Sequence, residues 1–306
     1  RLEALPGGVP RAPRLGAWLR AIDRPAPYSP ASRPAPNPPL ADRPREIAVT
    51  RLDRLKADPF AFYASVMLKL SALDAVDADP TPAWRGTMVH KAVEAWMKED
   101  NCDPARLHAR AVALLAGIAA HPVMKAFWEP RLMAAIDWIA ETMQAMLAGG
   151  RTPVAAELRG RAKVGAIELY GTVDRIDRLP HGGLAIVDYK TGKAPSKAQV
   201  AHGYSLQLGL LGLIAEHGGF PDITGAPKVF EYWSLARDKD RFGKVSTPTD
   251  APEDFTTLAA RELSDAVARW LTGTEPFIAR LEPDFAPYAD YDQLMRLDEW
   301  YGRSDV

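Results

Sequence analysis

Cysteine is almost missing from this chain of 306 residues, with Cys102 the sole example. A lone thiol excludes an internal disulfide, a cysteine-rich zinc site and a four-cysteine iron–sulfur cluster. With no activating neighbours in sequence, it is also a poor nucleophile, and a reducing cytoplasm is the expected setting. Long apolar runs are missing too: none approaches the roughly 18 residues of a membrane-spanning helix. Charge of either sign is not in excess, since 38 Lys and Arg against 39 Asp and Glu leave a formal net charge of −1. There is therefore no global basic footprint for nucleic acid, and any grip on a polyanion must be local or supplied by a partner. No G-x-x-x-x-G-K-[ST] phosphate loop occurs, which excludes an ATP motor in this piece. The HExxH zinc helix, the G-x-S-x-G nucleophile elbow and the GxGxxG dinucleotide fingerprint are also absent.

What is present reads as a globular chain, 47% hydrophobic and 25% charged. Only one region is rich in strand patterns, which favours one domain with elaborations. A chain that opens at Arg1 on a proline-rich segment is expected to be part of a longer polypeptide. Residues 1–46 read as a linker or wrapping arm, extended through Pro25–Pro44 with one short helix over Arg14–Ile22. Residues 47–306 read as the domain proper, in three parts.

Residues 47–150 are helical. Thr50 caps a helix carrying Leu52 and Leu55, and Asp58-Pro59 opens one from Phe60 to Leu70. Thr81-Pro82 opens a helix carrying Trp84, Met88, Val89, Ala92, Val93 and Trp96 at helical spacing, with His90 beside them. Two more helices run from Asp103-Pro104 to Ala120 and from His121 to Leu147, the second bearing Trp128 and stopping at Gly149-Gly150. Residues 151–275 are an α/β core. Strands are expected over Val154–Leu158, Ala162–Leu169, Tyr170–Leu179, Leu184–Lys190 and Lys228–Leu235, with helices over Ser196–Glu216 and Asp254–Leu271. Residues 276–306 mix aromatics (Phe277, Phe285, Tyr288, Tyr291, Trp300) with charges and should pack across the domain.

The chemistry concentrates in two apolar runs flanking Pro180-His181-Gly182-Gly183, which read as antiparallel strands joined by a tight connection. On a strand, Asp188 and Lys190 share a face that Tyr189 does not. Centred near His181, the hairpin sets Asp174 opposite Asp188, where paired Cβ atoms lie about 4.5–5.5 Å apart. Two carboxylates that close repel unless a cation lies between them, so the pattern is that of a divalent-metal site with a lysine beside it. An Asp-x-Lys pair can instead be an ordinary surface ion pair, worth about 0–1 kcal/mol. Against that, Asp188 ends the apolar run Leu184–Val187, where an unpaired charge is expensive, and Gly192 frees the backbone to leave the sheet. Asp177 has the opposite parity to Asp174 and suits a structural pair with Arg175 or Arg178.

Asp174 with Asp188-Tyr189-Lys190 resembles the active-site signature of the PD-(D/E)xK nucleases. The RecB-like group is indicated by Arg85-Gly86-Thr87-Met88-Val89-His90, Gly171-Thr172-Val173-Asp174-Arg175-Ile176-Asp177, Asp188-Tyr189-Lys190-Thr191-Gly192 and Gln207-Leu208, in that order. Over roughly residues 47–280 the pattern is most similar to the C-terminal nuclease domain of AddB-type subunits of bacterial double-strand-break repair helicase–nucleases. Some relatives carry a four-cysteine iron–sulfur staple, which this chain cannot.

The resemblance implies a restriction-endonuclease-like α/β core, a mixed central sheet flanked by helices, and an N-terminal helical elaboration. It implies Mg2+, or Mn2+ in its place, held by Asp174, Asp188, the Tyr189 backbone carbonyl and His90. Lys190 would orient the attacking water and stabilise charge on the scissile phosphate of DNA. Gln207 would hydrogen-bond near the site or to DNA, or anchor helix to sheet, with Tyr204 a neighbour one turn away. Arg85 would serve the phosphate backbone or close a helix turn, and Glu157 is either a further metal approach or a surface carboxylate. His90 read alone is first a packing histidine that donates one hydrogen bond. The implied function is cleavage of single strands fed by a helicase, in double-strand-break repair and recombination. The implied partner is an AddA-type helicase–nuclease subunit, in the cytoplasm at the nucleoid and with no membrane involved. The alternatives are a catalytically inactive nuclease fold that binds DNA or docks proteins, and a scaffold subunit whose acidic pair is incidental.

Overall fold

The computed structural model describes residues 13–24, 31–71, 73, 82–116, 122–238, 241–286 and 289–302. Residues 25–30 of the proline-rich segment, the Thr81 cap, residues 117–121 and Tyr288 lie outside them, as do the side chains of Trp84, Arg85 and Trp128.

The longest strand pair is a hairpin of β2 (Thr152–Val164) and β3 (Ile167–Arg178). Three shorter strands were expected here, over Val154–Leu158, Ala162–Leu169 and Tyr170–Leu179. Gly160 and Gly171 face each other across the ladder of the two long ones, where their missing side chains admit neighbours. A Cβ on Gly160 would sit 2.4 Å from the Phe220 ring, and one on Gly171 2.6 Å from Val49 Cγ2. Both glycines mark a close approach within an unbroken strand.

The other edge of β3 is shared. At Glu168–Tyr170 it pairs in parallel with β1 (Glu46–Ala48), and at Arg175–Arg178 it pairs antiparallel with β4 (Leu184–Lys190). β4 pairs in parallel with β5 (Pro227–Asp238), and β5 antiparallel with β6 (Arg241–Ser246). β1 and β6 had no strand signal of their own. The neighbour of β3 thus changes along its length, the kind of switch that opens a crevice in α/β sheets.

Helices cover both faces of this mixed sheet, which is the α/β architecture expected. On one face, α2 (Leu52–Ala57), α3 (Pro59–Phe62), α8 (Gln207–Glu216) and α9 (Phe255–Ala266) pack on Leu184, Ile186, Phe230 and Tyr232. α8 is buried from Leu208 to Ala215, as its all-round apolar sequence requires. On the other face, α4 (Pro82–Glu99), α5 (Pro104–Ala116) and α6 (Pro122–Ala148) meet Val187, Tyr189, Trp233 and Leu235. β4 therefore feeds both layers with alternate residues, and everything in it but Lys190 is buried.

Local signals place the helix starts unevenly. Asp58 caps α3, its side chain accepting from the Ala61 N–H at 3.0 Å. Thr50, by contrast, caps nothing: a 3-10 turn over Val49–Arg51 leads into α2. The helix expected over Ser196–Glu216 is two, α7 (Lys197–Ala201) and α8. Gly203 at φ +79° and Ser205 at φ +58° turn the chain between them. Residues 34–43 run along the late segment, with Pro34 and Pro36 carbonyls accepting from Ala279 and Phe277. Arg43 is buried there on the carbonyls of Trp270 and Glu275.

Pro34–Tyr291 forms one compact unit and contains all of these strands. Of the described residues, 13–24, 31–33 and 292–302 belong to a second, with α1 (Pro13–Ile22) and α10 (Leu297–Trp300). Within it Arg296 pairs with Glu299 at 2.7 Å, and Trp300 Nε1 donates to the Met295 carbonyl. Among the described residues no helix is long and apolar enough to cross a membrane.

Candidate active site

Between Tyr170 and Arg175, β3 pairs with neither β1 nor β4 on its shared edge. Asp174 lies in that opening. The β3–β4 register, Arg175 with Val187, extended by one residue sets Asp174 opposite Asp188, the opposition that hairpin parity predicts. Here the ladder gives way to a side chain: the Tyr189 N–H donates to Asp174 Oδ2 at 2.8 Å.

Glu157 arrives from β2 through an irregularity. Its φ is +46°, rare for a residue with a side chain. Ala155 and Leu158 consequently pack on the same core, although plain alternation would separate them. The strained step aims Glu157 at His90 on α4, with Nδ1 to Oε1 at 2.7 Å. His90 Nδ1 also lies 3.6 Å from Asp174 Oδ1. Ligating atoms of His90, Glu157 and Asp174 all lie within 4.8 Å of one another. Asp188 is outside that trio, its Oδ2 paired with Lys190 Nζ at 2.8 Å. Lys190 Nζ in turn donates to Gln207 Oε1 at 3.2 Å, so the first residue of α8 ties that helix to the end of β4.

Burial dominates the electrostatics. It pushes the Asp174 carboxyl from 3.8 up to about 7, helped by the charge of Asp188. Asp188 is raised for the same reason, with Lys190 opposing. For His90, burial disfavours the charge. The Glu157 hydrogen bond and the charges of Asp174, Glu157 and Asp188 outweigh it and lift the imidazole to about 9. An imidazolium among three carboxylates is a local cation compensating excess negative charge. A divalent ion fits this donor set of carboxylate oxygens and one imidazole.

The reverse face of the same strands carries a buried ionic network. Arg175 is wholly buried, its Nε 2.9 Å from Asp177 and its guanidinium 4.1 Å above the Trp233 ring. It donates to the Tyr189 hydroxyl. Arg151 bonds Asp177 at 2.7 Å and grips Glu231 through two nitrogens at 2.9 and 3.0 Å. Asp177 faces away from Asp174 as parity requires, and Arg175 is its partner. Arg151 is a partner that sequence patterns did not show, because it precedes the strand by position and reaches its acids only in the fold.

Two sequence candidates remain, and of these only Tyr204 has a described side chain. Arg85 is on α4, but its side chain is outside the described residues. Tyr204 is in the link before α8, so it is not a helical neighbour of Gln207. Its ring stacks on Phe285 at 4.0 Å, and Lys56 Nζ lies 4.6 Å from it.

Comparison with known proteins extends this picture. A family model described as the PD-(D/E)XK nuclease superfamily matches residues 46–282. An uncharacterized protein of Rickettsia bellii is 27% identical over 189 residues, covering 58% of this chain and 22% of its own length. One from Rickettsia typhi is 26% identical over 284 residues, 84% of this chain and 32% of its own. The chain thus spans a third or less of the length of these curated relatives. A solved structure of a candidate exonuclease from Eubacterium rectale aligns over 86% of this chain and 91% of its own, with a TM-score of 0.45 and 7% identity. The match runs from β1 through the acidic opening of β3 and the Asp-Tyr-Lys end of β4 to the segment beyond α9, and by it the chain belongs to the PD-(D/E)XK nuclease superfamily.

Proposed function

We propose that the chain is a Mg2+-dependent deoxyribonuclease, acting on single strands of DNA delivered by a helicase. The observation that carries this reading is the convergence of Asp174, Asp188, Lys190 and Gln207 at one opening in the sheet. Asp174, Asp188, His90 and the Tyr189 backbone carbonyl would hold Mg2+ or Mn2+, and Glu157 is positioned to join them. When bound, such an ion lowers the pKa of water and polarises the phosphoryl oxygen. Lys190, steadied by Asp188 and Gln207, presents its ammonium to the attacking water and to charge developing on the phosphate. Water adds at phosphorus in line, the P–O ester bond breaks, and the departing oxygen takes a proton. The products are a phosphate monoester and a hydroxyl, with no covalent enzyme intermediate.

The RecB-like order of motifs supports a place in double-strand-break repair and recombination, as an AddB-type nuclease domain beside an AddA-type helicase–nuclease subunit. Its setting is then the cytoplasm, at the nucleoid. The near-neutral charge fits substrate delivery by a motor rather than capture from solution. End-labelled single- and double-stranded oligonucleotides incubated with the chain and Mg2+ test the reading. Progressive shortening of the single strand is expected, abolished by EDTA and by Asp188→Ala. Intact strands under all metal conditions would overturn it.

A further inference from the structure

Next to the catalytic opening lies a cavity of about 460 Å³, within the size range of small-ligand sites. α2, the link before α8 and residues Asp284–Ala286 form its walls. Gln207 belongs to both places: it lines the cavity and accepts from Lys190 Nζ. Whatever fills the cavity is therefore one side chain away from the proposed reaction centre.

Three features of the lining define the occupant. Arg51 is half-buried and has no ion pair or hydrogen bond among the described residues, so it offers a guanidinium to an anion. Asp53 accepts from the Ser205 N–H through Oδ2 at 2.9 Å, while its Oδ1 is buried without a hydrogen-bond partner. Burial pushes this carboxyl up to about 6, against the opposing pull of the Ser205 and Leu206 N–H groups and the Lys56 charge. Phe285, half-buried and backed by Tyr204 at 4.0 Å, supplies a flat apolar wall. An anion, an N–H donor and a planar ring in one ligand describe a nucleotide whose base is unpaired and unstacked.

We propose that this cavity takes the nucleotide adjoining the scissile phosphate of a single strand, with the base on Phe285, its N–H on Asp53 and its phosphate on Arg51. The assignment rests on the nuclease reading and gives its single strand a contact at the base as well as at the phosphate.

The test is an abasic scan. A single tetrahydrofuran residue is moved along a labelled 20-mer, and cleavage at each phosphate is quantified with Mg2+. Binding of the same strands is measured by fluorescence anisotropy in EDTA. Cleavage beside the missing base should fall about tenfold, the worth of one base–aromatic contact. Phe285→Leu, Arg51→Gln and Asp53→Asn should each raise KM with kcat changed far less, and Phe285→Leu should erase the abasic effect. Arg51 and Phe285 are not fully buried, so those two variants keep the test readable if Asp53→Asn unfolds. A flat scan in both cleavage and binding overturns the pocket. Absence of cleavage, with binding still sensitive to the missing base, overturns the nuclease reading and leaves the pocket supported.

Discussion

The Tyr189 N–H donates to Asp174 Oδ2 at 2.8 Å, so the central residue of the Asp-Tyr-Lys run fixes the acid on the neighbouring strand. That carboxyl, its side chain 11% exposed, faces Asp188, and its pKa stands near 7 against an ordinary 3.8. A carboxyl raised on folding contributes stability below its unfolded pKa, which is lost as pH rises through the folded one. Asp174→Asn retains an acceptor for Tyr189 and removes the charge. In urea unfolding with EDTA, its stability relative to wild type should climb between pH 4 and pH 7 by up to about 1.4 kcal/mol per pH unit. A difference that does not vary with pH contradicts the assignment.

Cation binding should compete with protons at this site. His90, near 9, must shed its proton to become a ligand, and Asp174, near 7, must be ionised. Mn2+ affinity measured by calorimetry is expected to rise from pH 6 to pH 9, by up to about tenfold per pH unit for each proton displaced. His90→Ala should flatten the part of the curve above pH 7. Equal affinity across the range would count against His90 as a ligand.

In the proposed mechanism Lys190 acts on the reaction rather than on the ion. Its ammonium holds Asp188 Oδ2 at 2.8 Å and so competes with any cation for that oxygen. Lys190→Met is expected to slow cleavage by on the order of 10²–10³, the worth of one positioned donor, while Mn2+ affinity stays equal or tightens. Loss of both together would make Lys190 a structural element of the metal site.

Beneath the site, Arg151 bridges Asp177 and Glu231, both buried. Arg151→Met leaves Glu231 without its cation and Asp177 with Arg175 alone, and should cost about 3–5 kcal/mol in denaturant unfolding. The loss should shrink when Glu231→Gln is added, and an unchanged loss in the double variant would dissociate Arg151 from Glu231.

The acidic hairpin was legible in sequence because it is local: a Pro/Gly connection and strand parity suffice to set Asp174 opposite Asp188. The buried character of α8 was legible for a similar reason, since Leu208–Ala215 has no polar face. What failed to show depended on distant partners. β1 is a strand only because Glu168–Tyr170 lies beside it, and Gly203 breaks a helix that apolar content alone would continue. The positive φ of Glu157 leaves no composition signal, yet it decides whether that acid reaches His90. Nothing local marks Arg151 as the partner of Asp177 and Glu231, which lie 26 and 80 residues further along the chain.

The account depends on one event, a divalent cation seated where β3 loses its neighbour. Crystals of the chain soaked in Mn2+ and measured at the manganese absorption edge test it most directly. An anomalous peak between the carboxylates of Asp174 and Asp188, within coordination reach of His90 and gone in Asp174→Asn, is the predicted result. A map with no peak there, from crystals in which both carboxylates are ordered and the ion is bound elsewhere, would contradict it.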